Sequence, residues 1–108
     1  MFHYTDGDSF NVIRAQPIWV FKAVQPPGDH PRGAYFTTLS PNTANLAKRL
    51  RVPKEKIGYV FYFTNGSDLK PLPGGRVAFV FYNPDDYLVD NSRQVDHGPT
   101  KEVLERLS

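Results

Sequence analysis

The chain has 108 residues, a formal charge of +2, 10 prolines, 8 glycines and no cysteine. That length holds one core and no second domain, and the mild charge lacks the concentrated basic face of electrostatic nucleic-acid or membrane-surface binders. The missing cysteines exclude a disulfide framework, a thiolate zinc site and a cysteine nucleophile, and the aromatic content is too high for a disordered chain.

The opening residues show no charged lead before an apolar run, and no stretch approaches the ~20 apolar residues of a membrane span. A soluble protein without a signal peptide is therefore expected, with its compartment open. Phe2 to Thr5 reads as a short strand. Asp6-Gly7-Asp8-Ser9 supplies turn and capping chemistry before one or two helical turns through Phe10, Ile13 and Arg14. "PIWVFKAV", Pro17 to Val24, is β-branched and aromatic and predicts a strand; "QPPGDHPRG" is a stiff polar loop ended by Gly33, and "AYFTTL" is the next strand. Ser40-Pro41 predicts a helix start, with Ser40 as cap and Pro41 in the first turn. That helix is expected to run to about Arg51, with Ala44, Ala47 and Leu50 on one face, and to stop at Val52-Pro53.

"KIGYVFYFT" and "GRVAFVFY" are near-continuous apolar runs that predict strands buried on both faces, joined by the hairpin-like loop "NGSDLKPLPGG". Tyr87 to Val89 and the stretch around Arg93 to Val95 predict two short strands. "TKEVLERL" predicts a closing amphipathic helix with Val103, Leu104 and Leu107 on one face and Thr100 as cap. Six or seven strands with two or three short helices make an α+β domain of mostly antiparallel sheet, expected as a monomer.

Without thiol or metal, the side chains able to do chemistry in such a fold are His3, Tyr35 and an acid from Asp85, Asp86, Asp90 and Asp96. His30 and His97 lie in Pro- and Gly-rich segments without ligand spacing and read as exposed loop residues. Arg14, Arg32 and Arg76 are the arginines weighed for a phosphate contact, Arg32 first because it adjoins Gly33.

Three segments, "HYT", "GAYFTTLSPNTAN" and "DDYLVDNSRQV", resemble in order the three motif regions of the ADP-ribosyltransferase fold. The likeness is to its diphtheria-toxin and poly(ADP-ribose) polymerase class, and within it to the H-Y-D signature branch found among toxin effectors. Gly33-Ala34-Tyr35-Phe36 matches the second-motif strand, Thr43-Ala44-Asn45 the following small-Ala-Asn, and Asp86-Tyr87-Leu88-Val89 with Gln94-Val95 the third motif. The resemblance implies split, mostly antiparallel sheets and cleavage of the nicotinamide–ribose bond of NAD. ADP-ribose would pass to an acceptor other than arginine, since Pro84 stands where arginine-modifying relatives carry Glu or Gln; with water as acceptor the chain would be an NAD glycohydrolase.

By that resemblance His3 holds the adenosine-side ribose and the Tyr4 main chain grips the carboxamide, where the polymerase class has glycine. Tyr35 stacks on the nicotinamide, Gly33 and Phe36 of the same motif belong with it to the NAD-binding set, and Leu46 replaces a second stacking tyrosine. Arg32 is placed to meet the pyrophosphate, and Asp86, with Asp90 and Asp96 as the alternatives, is the acid that faces the cation forming at the ribose. Two unit charges ~4 Å apart attract by ~4 kcal/mol at an effective dielectric near 20, so a carboxylate there lowers the barrier. A toxin or effector is the setting such relatives suggest.

Two readings stand beside it. "GRVAFVFY" partly matches the aromatic RNA-contacting strand of an RRM through Ala78, Phe79, Val80 and Tyr82, but lacks its basic-Gly-aromatic lead, so nucleic acid is the lesser expectation. The other is a β-rich module that holds NAD or ADP-ribose without turnover.

Overall fold

A computed structural model describes all residues except Pro27, Asp29 and 74–77. Strands form where β-branched and aromatic residues cluster: β1 (Phe2–Thr5), β2 (Trp19–Phe21), β3 (Ala34–Thr37), β4 (Tyr59–Phe63), β5 (Lys70–Pro71), β6 (Val80–Asn83), β7 (Tyr87–Val89) and β8 (Gln94–Pro99). Three α-helices join them, α1 (Gly7–Arg14), α2 (Leu46–Leu50) and α3 (Thr100–Leu107), with a 3₁₀ turn at Lys54–Ile57. The class is α+β and mostly antiparallel, as expected.

Six strands build the main sheet in the order β5-β6-β3-β1-β4-β8, and β2 pairs with β7 as a separate two-stranded layer. Since side chains alternate across a strand, the registers define two faces of the main sheet. Pro71, Phe81, Phe36, His3, Phe61 and His97 line up across the inner face. Over them lies an aromatic core that includes Phe10 from α1, Trp19 and Phe21 from β2, and Tyr87 and Val89 from β7. Lys70, Tyr82, Tyr35, Tyr4, Val60 and Gly98 line up across the outer face. There Phe2 and Val60 pack with Val103 of α3.

The second layer is latched by Arg93. Its guanidinium donates to the carbonyls of Thr64, Asn65 and Leu88 and to the Tyr87 hydroxyl, and it lies over the rings of Phe63 and Tyr87. Tyr87 in turn donates to Asp68 at 2.7 Å.

Several expectations need correction. The helix expected from Ser40-Pro41 begins only at Leu46: the Ser40 hydroxyl bonds the Asn42 side chain rather than capping, and Asn45 sits in the left-handed region at φ 57°. In the resulting helix Leu46 is the buried residue, while Ala44 is exposed. The strand expected over Pro17–Val24 shortens to three residues. The two long apolar runs do not form a hairpin with each other. β4 lies between β1 and β8, while β6 pairs with β3 and β5 and is only half-buried. Gly74, Gly75, Arg76 and Val77 of that expectation lie outside the described residues. The strand near Arg93 runs instead from Gln94 to Pro99 and places His97 in the sheet, its ring parallel to that of Phe61. Thr100 does not cap α3; its hydroxyl donates to the Ile57 carbonyl. Asp6 does cap α1, accepting from the Ser9 N–H at 2.9 Å. No helix among the described residues is long and apolar enough to cross a membrane.

Candidate functional site

β1 is hydrogen-bonded along its whole length to β4, through Phe2↔Tyr62, His3↔Phe61, Tyr4↔Val60 and Thr5↔Tyr59. Toward β3 only Phe2↔Thr37 remains. Met1 exchanges main-chain bonds with Phe63 on the β4 side, so alternation turns the main-chain groups of Met1, His3 and Thr5 to β4 and those of Phe2 and Tyr4 to β3. The sheet therefore splits just where the main chain of Tyr4 faces β3.

His3 fills one side of this split. Its Nδ1 lies 2.8 Å from the Tyr35 carbonyl oxygen; a carbonyl only accepts, so Nδ1 carries the proton and donates. The imidazole packs against Phe21, Phe36 and Phe61, with ring centroids 4.6, 5.5 and 6.5 Å away. Burial among these rings lowers its pKa from the usual 6.5 to about 4, against the smaller opposing effect of the Tyr35 carbonyl. The ring is neutral at pH 7.

Tyr35 leaves β3 on the outer face, opposite to His3. Its ring stacks on Tyr82 at 5.9 Å and 29°, and its hydroxyl donates to the Pro31 carbonyl. Burial, then the neighbouring Tyr82, raises its pKa. Gly33 makes this arrangement fit. A Cβ there would stand 2.5 Å from the Asn83 carbonyl oxygen and 2.9 Å from the Tyr82 ring, so only glycine lets β6 and its tyrosine come so close. Phe36, expected in the NAD-binding set, instead points inward into the core at 2% exposure. The Tyr4 hydroxyl donates to the Leu39 carbonyl at 2.8 Å, and burial raises its pKa.

Asp86 stands just before β7, in phase with the exposed Leu88 rather than with the buried Tyr87 and Val89. It accepts from the Ala23 N–H at 2.8 Å and from Lys22 Nζ at 3.3 Å. The Ala23 bond, aided by Lys22 and the Arg32 guanidinium, lowers its pKa, so it is ionised at pH 7. Arg32, exposed beside Gly33, is thus on the Asp86 side of the site.

The expectation that His3, Tyr35 and Asp86 converge in one cleft needs correction: β1 and β3 are neighbours in the main sheet, but β7 belongs to the second layer and the three side chains point to different places. The imidazole lies between the layers, the phenol on the outer face of the main sheet, and the carboxylate at the end of the second layer. Asp90 accepts from the Ser92 N–H and hydroxyl, and Asp96 takes a two-pronged contact from Arg106. Arg14 packs over Phe10 and bonds Asn11; His30 is exposed. Leu46, expected to face the ligand, is buried at 6% exposure. Arg76 lies outside the described residues.

Tyr82 and Lys70 were absent from the expected site. Both are brought to Tyr35 by cross-strand pairing, and only the register of three strands distant in sequence makes that visible. Farther along the outer face, a cleft of about 310 Å³ opens between α3 and the Ser40–Asn42 segment, floored by the stacked rings of Phe2 and Tyr62. Among the described residues no group of three or more His, Cys, Asp or Glu is placed to hold a metal ion. Comparison with protein-family models, curated proteins and solved structures finds no match for this chain.

Proposed function

We propose that the chain is an NAD-consuming enzyme, an ADP-ribosyltransferase with an acceptor other than arginine, or an NAD glycohydrolase when water takes that place. The observation that carries the reading is the split between β1 and β3, which turns the Tyr4 main chain toward the strand of Tyr35. An amide N–H and carbonyl side by side match the donor and acceptor of a carboxamide, and the adjacent Tyr35 ring offers a flat, electron-rich face to a cationic pyridinium. In the reaction the ribose C1′–N bond breaks, its electron pair leaves with neutral nicotinamide, and the cationic sugar is captured by an acceptor that loses a proton. Asp86 is the acid assigned to face that cation, and His3, neutral and held by the Tyr35 carbonyl, fixes the geometry of the split.

One observation favours the second reading, a module that holds NAD or ADP-ribose without turnover. Asp86 is already engaged by the Ala23 N–H and Lys22, which spends part of its charge. Incubation with NAD while nicotinamide release is followed separates the two, with Asp86→Ala, Asp90→Ala and Asp96→Ala run alongside. Release by the parent and loss in Asp86→Ala alone supports the enzyme. Binding of NAD without release supports the module, and salt-dependent binding of single-stranded RNA with neither would overturn both.

A further inference from the structure

β8 ends the main sheet on one side, and β5 ends it on the other. β5 is two residues long and holds Pro71, which has no N–H to offer. β8 is six residues long and carries Val95 at 51% exposure, the kind of edge to which another strand adds. The registers tell which of its main-chain groups look outward. Because the main chain of His3 is turned to β4, that of its partner Phe61 is turned to β1, and Val60 and Tyr62 are left to bond Gly98 and Asp96. The N–H and carbonyl of His97 therefore face away from the sheet, and Pro99, the next residue in phase, has no N–H. Both His97 groups are taken by side chains. Its N–H donates to Asp96 Oδ1 at 2.8 Å, and its carbonyl accepts from Arg106 Nη2 at 3.2 Å. Arg106 reaches them from α3 while gripping Asp96 through Nε at 2.8 Å and Nη2 at 3.0 Å. Gly98 makes that reach possible: its φ is 149°, and a Cβ there would stand 3.2 Å from the same Nη2. Val103, fully buried, anchors the helix beside it.

We infer that the Asp96–Arg106 clasp is an edge guard, which keeps a second copy of this chain from adding its own β8 to the open side of the sheet. Symmetry sets the occupant. An antiparallel approach of two β8 strands about a two-fold axis puts His97 opposite His97, so each N–H meets the other copy's carbonyl and both bonds form at once. The same register sets Val95 of each copy against Pro99 of the other, apolar against apolar. A two-pronged arginine–carboxylate contact suits the guard's task, since its planar fork holds both carboxylate oxygens and still has a hydrogen left for the His97 carbonyl. The inference is independent of the NAD reading.

The test is sedimentation velocity over a concentration series with the full chain, Arg106→Ala and Asp96→Ala, each checked for folding by thermal melting. The parent is expected to stay monomeric. Each variant opens the clasp, and self-association at least about tenfold tighter than the parent's is expected, the factor that main-chain hydrogen bonds of ordinary net strength supply. His97→Pro placed in the Arg106→Ala chain removes the outward N–H without touching the ladder to β4, and should return the monomer. Should the alanine variants melt early, Arg106→Lys, which keeps the charge but not the fork, is read by the same criteria. A parent that dimerises as readily as Arg106→Ala overturns the inference. So do folded variants that all stay monomeric, and so does a dimer that His97→Pro leaves intact.

Discussion

β1 meets its two neighbours in opposite ways. Against β4 it is zipped through four register pairs, and the residues across that seam, Val60 and Phe61, are fully buried. Against β3 it is paired once, and a side chain, His3, reaches the Tyr35 carbonyl in place of a main-chain donor. One seam is built for stability and the other leaves backbone polar groups facing a gap, which a fold keeps only where something else can satisfy them. Of the candidate residues, His3 and the main chain of Tyr4 lie along the loose seam.

Breaking the tight seam has the largest expected effect. Phe61→Ala removes a ring in contact with His3, Phe10, Trp19 and Phe21 and should cost about 3–5 kcal/mol in denaturant unfolding. The loose seam is tested by pH. His3 has a folded pKa of about 4 against 6.5 unfolded, so the unfolded chain takes up the proton first. Its contribution is complete above about pH 6.5 and declines as pH falls toward 4, by up to about 3 kcal/mol. Urea unfolding at pH 7.5, 6, 5 and 4 should show this slope in the parent, and His3→Gln should flatten it. Smaller, at about 2 kcal/mol, is Gly33→Ala, whose methyl collides with Asn83 and Tyr82; it should also disturb the Tyr35–Tyr82 contact, seen as altered tyrosine ring-proton shifts in NMR spectra. The smallest is Lys22→Ala. Its partner contact is exposed, so the melting temperature should stay within error, and a clear drop would mean that the link between β2 and β7 bears more weight than the geometry assigns.

Much of this arrangement could be read from the chain before folding. The strands at Phe2, Tyr35 and Tyr87 stand near their expected places because each is a compact aromatic or β-branched run, and α3 buries Val103 on its expected face. The Ser40-Pro41 signal failed because a cap works only if its side chain is free to meet the helix amides, and here Asn42 takes the hydroxyl. The partner of β4 was not legible. Its apolar run suits any sheet interior, and the choice of β1 and β8 over β6 is made by tertiary packing. The faces taken by His3 and Tyr35 were hidden for a related reason. Alternation along each strand is local, whereas the register that sets Phe2 against Thr37, and so places the two rings on opposite sides, is not.

Arg93 carries a consequence of its own. Because one planar fork joins the end of β4 to β7, the strand paired with β2, a single side chain ties the two layers together, beside the Tyr87–Asp68 bond and the Gln94 amide that reaches Pro17 and Val89. A lysine there, with a compact point charge and no rigid fork, could not span the carbonyls of Thr64, Asn65 and Leu88 from one planar group.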